Sequence, residues 1–71
     1  MNGRPVKHSV TLRGHRTSVS LEGDFWQAFQ EIAAVQGLTL NALATRIDAD
    51  RKADVGLASA IRVFVLRHYR H

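Results

Sequence analysis

At Glu22 the hydrophobic period of the chain changes, and that change restricts the fold more than any other feature of the sequence. Before it the period is two. Val10 and Leu12, then Thr17, Val19 and Leu21, alternate with Ser9, Thr11, Arg13, Arg16, Ser18 and Ser20. Both runs are rich in β-branched residues and read as half-buried strands. After Glu22 the period is helical. Phe25, Phe29 and Ile32 fall at i, i+4 and i+7, with Ala28 and Val35 beside them.

The two alternating runs can close into a hairpin. With Gly14-His15 as a two-residue loop, glycine stands where a type II′ turn requires it. That loop pairs Arg13 with Arg16, Leu12 with Thr17, Thr11 with Ser18, Val10 with Val19, and Ser9 with Ser20. Val10, Leu12, Val19 and Leu21 then share the inner face. The cost is a pair of arginines directly opposite each other beside the turn.

Punctuation divides the rest into three helices. Glu22 and Asp24 suit a helix N-terminus, where the macrodipole favours negative charge, and Asp24 with Gln27 forms a candidate capping pair. Gly37 is a C-terminal stop. Thr39 offers an N-cap for a second helix over 39–51, with Leu40, Leu43, Ala44 and Ile47 as its apolar stripe. "DRKADVG", residues 50–56, is a polar break. A third helix runs from about Leu57 to Tyr69, with a stripe of Leu57, Ala60, Ile61, Phe64 and Val65 that Val63 and Leu66 widen. The expected fold class is mainly α with a short N-terminal β-ribbon. Residues 1–6 form a flexible arm, and 7–71 form the domain.

The chain has 71 residues and no cysteine. A domain of that size buries only about 60% of its unfolded surface, so its core is marginal on its own. No disulfide or thiolate zinc site can supplement it. Yet 45% of the residues are hydrophobic, and the third helix is apolar over more than half its girth. Both point to a homodimer that shares part of its core.

The net charge is +4, and its position is informative. Residues 1–21 hold Arg4, Lys7, Arg13 and Arg16 and no acid, whereas the bases and acids of 22–71 cancel. A positive field confined to the strands favours a polyanionic partner. Other classes fare worse. Val63-Phe64-Val65-Leu66 is far too short to span a bilayer, and the first residues lack a signal peptide's apolar stretch. A cytoplasmic protein with no membrane partner is expected. His8, His15, His68 and His71 have no tight ligand spacing, so no metal and no cofactor is expected. Ser18 or Ser20 with His15 and Asp24 lacks a nucleophile elbow and a pocket-sized scaffold, so the chain is not expected to be an enzyme.

The stretch "RTSVSLEGDFWQAFQEIAAVQGLTLNALATRI", 16 to 47, resembles the ribbon-helix-helix family of bacterial DNA-binding proteins. A longer pattern, "HSVTLRGHRTSVSLE…FWQAFQEIA…SAIRVFVLRHY", looks like short bacterial proteins built around such a domain with an additional C-terminal helix. The resemblance implies an antiparallel ribbon, one strand from each subunit, lying in the major groove of DNA. On this chain it implies Arg16, Ser18 and Ser20 as base readers, with Arg13 on the same exposed face if the hairpin forms. It also implies a backbone-phosphate contact at the second helix N-terminus, through Thr39 and Asn41. "LASAIRVFVL", 57 to 66, itself resembles the family's second helix, so either later helix can be the anchor. The function implied is a dimeric, sequence-specific transcriptional regulator on double-stranded DNA. The alternative is an antitoxin-like interaction module that keeps the fold and holds a protein partner against its helices.

Overall fold

The computed structural model describes residues 3–70. Two antiparallel strands, β1 (Val6–Leu12) and β2 (His15–Leu21), form a hairpin. Three helices follow: α1 (Gly23–Val35), α2 (Leu40–Asp50) and α3 (Leu57–Tyr69). The order and type of the elements match the change of period. Part of the arm expected over 1–6 lies outside the described residues, and β1 begins at Val6.

The hairpin closes one step earlier than the sequence suggests. Leu12 pairs with His15, Thr11 with Arg16, Val10 with Thr17, Ser9 with Ser18, His8 with Val19, Lys7 with Ser20 and Val6 with Leu21. The loop is therefore Arg13-Gly14, not Gly14-His15. Both loop residues have positive φ, 52° and 82°, which is the signature of a type I′ turn, not II′. The physical gain is evident at the turn. Arg13 leaves the ladder, so Arg16 faces Thr11 and no like-charge pair remains there. The slip is two residues in pairing, and a two-residue slip preserves the faces. Val10, Val19 and Leu21 are buried inside as expected, and Leu12 is half-buried.

The inner face of the hairpin meets the helices. Phe29, Ile32 and Ala33 of α1, Leu43, Ala44 and Ile47 of α2, and Ile61 and Val65 of α3 complete one core with the strand residues. Val35 is the exception to the predicted stripe of α1. It is 80% exposed, and Ala33 takes the inward place. His8 also faces inward, a position the alternation did not mark. Its ring stacks on Trp26 at 3.8 Å between centroids and 3° from parallel, fastening β1 to α1.

The predicted stops largely hold. Gly37 has φ 70°. The amide of Gly37 donates to the Ala34 carbonyl and that of Leu38 to the Ala33 carbonyl at 2.9 Å, the paired bonds of a Schellman motif. Thr39 caps α2, its Oγ1 accepting from the Ala42 amide at 3.0 Å. The capping pair at α1 does not form. Glu22 is the N-cap, without a side-chain cap bond, and Gln27 instead donates to Glu31. The break between α2 and α3 is fastened by Arg51. Its guanidinium donates to Asp48 Oδ1 and to the Val55 carbonyl, each at 2.7 Å.

Candidate nucleic-acid interface

Strand pleating puts Lys7, Ser9 and Thr11 of β1 and Arg16, Ser18 and Ser20 of β2 on the face away from the helices. The register brings Lys7 beside Ser20, Ser9 beside Ser18, and Thr11 beside Arg16. This face therefore carries four hydroxyls, a lysine and an arginine, and no acid. All of these residues are exposed except Thr11, which is half-buried. Of the sequence-predicted residues, Arg16, Ser18 and Ser20 lie here together. Lys7, Ser9 and Thr11 complete the face. Their outward phase was legible in the alternation, but their place beside β2 depends on the register, which the loop sets.

Arg13 is not on this ladder. It occupies the exposed turn at the hairpin tip, in the left-handed conformation. Thr39 and Asn41 sit at the start of α2, which packs along β1. Asn41 Oδ1 accepts the Thr11 amide at 2.9 Å. That bond shows that the Thr11 N–H points away from β2, and it joins the helix N-terminus to the free edge of the ribbon. The Thr39 side chain is occupied in capping. The first amides of α2, as in any α-helix, have no partner within the helix.

The opposite end of β2 is held by charge. Arg62 of α3 bonds Glu22 at 2.8–2.9 Å and donates to the Ser20 carbonyl at 3.3 Å. The Arg62 hydrogen bond, aided by a backbone bond within Glu22 and by the guanidinium charge, holds the Glu22 carboxyl below its ordinary value. Glu22 is thereby neutralised at the point where the strand enters α1. Arg62 also lies 5.8 Å from the centre of the Phe25 ring. Sequence reasoning missed this bridge because the partners are 40 residues apart.

Among the described residues no helix is long and apolar enough to cross a membrane, and no group of three metal-ligating side chains forms. His71, one of the histidines considered for metal, lies outside the described residues.

A two-stranded antiparallel ribbon followed by helices packed on one face is consistent with the ribbon-helix-helix class, although both strands come from one chain here and not, as the resemblance implied, one from each of two subunits. The sequence pattern of the ribbon-helix-helix domain family matches residues 5–69, and the chain belongs to that family. Its members are in general DNA-binding transcription regulators or antitoxins, in general dimerise, and are typically not enzymes. No curated protein and no solved structure matches the chain.

Proposed function

We propose that this protein is a homodimeric, sequence-specific DNA-binding protein that regulates transcription from the cytoplasm of a bacterium. The observation that carries the reading is the outer face of the hairpin, where Lys7, Ser9, Thr11, Arg16, Ser18 and Ser20 stand together without an acid. A two-stranded ribbon is the width that the major groove admits. Here one chain supplies both strands, so each subunit presents a ribbon of its own. Arg16 is suited to a bidentate contact with guanine, and the serines can donate to or accept from several bases. Arg13 at the tip and the free amides at the start of α2, beside Thr39 and Asn41, are suited to phosphates on either side. Between the two helices considered as anchors, α2 is favoured because Asn41 ties its N-terminus to the ribbon edge.

Dimerisation belongs to the same proposal. Val35, Leu66 and Tyr69 are large apolar side chains, each more than half exposed. Leu66 and Tyr69 share one flank of α3. The bond from the Tyr69 hydroxyl to Glu31 brings that flank to α1, on which Val35 lies one turn beyond Glu31. Burying this patch against a second copy would add the core that a chain of this size lacks.

Gel-shift titration against genomic and random-sequence DNA at two salt concentrations tests the reading. Binding should weaken steeply with salt as phosphate counterions are released, while a subset of sequences remains preferred. Absence of any shift at low salt would sink it.

A further inference from the structure

The surface not used by the proposed DNA contact contains a groove of about 580 Å³ between α2 and α3. No strand residue lines it. Leu43 and Ile47 of α2 face Val63 and Phe64 of α3 across its floor. Arg46 lies three residues after Leu43 on α2, and Arg67 lies four after Val63 and three after Phe64 on α3, so each stands one helical turn from the floor. Lys52 closes the end nearest the interhelical break. Among the described residues Arg46, Lys52 and Arg67 have no ion pair or hydrogen bond from their side chains, whereas Arg51 beside them is engaged by Asp48. Asp50 is the acid in the lining.

We propose that this groove binds an acidic amphipathic helix of a protein partner. An apolar floor between two helices accepts the i, i+3, i+4, i+7 side chains of a third helix, whose polar side stays in water. The cationic rim selects for carboxylates on the flanks of that helix and against bases. The groove is open-sided, whereas small-molecule sites enclose most of their ligand. A second copy is a poorer occupant. Its α3 is basic and carries no acid, on its α1 Glu31 already accepts from Gln27 and Tyr69, and on its α2 Asp48 already pairs with Arg51 while Asp50 lies in the lining of that copy's own groove. The proposal is independent of the DNA reading, since the groove and the ribbon's outer face share no residue.

Two designed peptides test it, titrated into the full chain without DNA and followed by amide shifts. Both carry leucine and phenylalanine at i, i+3, i+4 and i+7. One is flanked by glutamate and the other by lysine, and a scrambled acidic peptide is the control. The acidic amphipathic peptide should bind at least tenfold more tightly than either of the others and shift residues 43–47 and 60–67. In the double variant Arg46→Glu/Arg67→Glu, at two exposed helix positions, the preference should invert toward the lysine-flanked peptide. A helical circular dichroism spectrum confirms that this variant is folded. Equal affinity for the two peptides, or no inversion in the folded variant, overturns the proposal. Groove shifts that appear on changing the protein concentration alone would assign the groove to a second copy. Displacement of the peptide by an equimolar fatty carboxylate such as decanoate would assign it to a small ligand.

Discussion

The Thr11 amide donates to Asn41 Oδ1 at 2.9 Å, tying an edge of the ribbon to the first turn of a helix 30 residues away. The bond satisfies a strand-edge donor and holds the α2 N-terminus beside the hairpin. Asn41→Ala should cost about 0.5–1.5 kcal/mol, with faster hydrogen exchange at the Thr11 amide than at its neighbours. Asn41→Asp keeps the acceptor but adds a negative charge beside the proposed phosphate contact. It should retain the protection of Thr11 and still weaken DNA binding. If both variants lose protection and affinity in parallel, the role of Asn41 is structural alone.

At the turn, Arg13 holds a φ of 52° that a side chain with a Cβ rarely adopts, followed by Gly14 at 82°. Asparagine tolerates this conformation best among residues other than glycine, and Asn-Gly is the preferred type I′ pair. Arg13→Asn should raise stability by up to about 1 kcal/mol. The same change removes a cation from the hairpin tip, so affinity should fall about equally for all DNA sequences. Urea denaturation and binding titrations measure the two effects separately. A destabilised variant would show that the loop is not Arg13-Gly14.

Arg16 tests sequence reading. It is exposed and faces outward opposite Thr11, so Arg16→Ala leaves the buried side of the strand untouched. Loss of a base contact should cost about 1–3 kcal/mol and relax preference at one base-pair position in each half-site. Arg4→Ala should instead lower all affinities alike, because phosphate contacts carry no sequence information. Binding-site selection with both purified variants distinguishes them. Unchanged selected sequences with Arg16→Ala would mean that the ribbon adheres to DNA without reading it.

The Glu22–Arg62 bridge gives a pH dependence with a definite sign. The folded carboxyl is held below its ordinary value of 4.5. Its stabilising contribution is therefore fully present above about 4.5 and is lost as pH falls through the lower folded value. Arg62→Gln should lower the melting temperature slightly at pH 7, and the difference from the parent should shrink under acid conditions. A gap that stays constant from pH 7 to strongly acid solution would assign the effect of Arg62 to its packing over Phe25.

Self-association should appear in sedimentation as a dimer at micromolar concentration, with a melting temperature that rises with protein concentration. Leu66→Glu, on the exposed flank of α3, should shift the equilibrium to monomer without unfolding it. A parent protein that sediments as a monomer with a fixed melting temperature would remove the dimer from the proposal.

Much of this was readable from local pattern. The change of period at Glu22 announced the order of elements, because side-chain period follows from backbone geometry. Gly37 and Thr39 marked their helix ends because the left-handed C-terminal stop and the hydroxyl N-cap are local requirements. The outward phase of Arg16, Ser18 and Ser20 followed from alternation, which is blind to which strand lies alongside. Tertiary structure decided the rest. The hairpin register depended on whether arginine could be placed at positive φ to avoid facing another arginine, a balance between backbone strain and charge. Asn41 on Thr11, Arg62 on Glu22 and His8 on Trp26 join elements that no sequence period relates. The exposure of Val35 and the groove between α2 and α3 depend on how the helices cross. Sequence repeats report which face a residue occupies, whereas packing decides what that face meets.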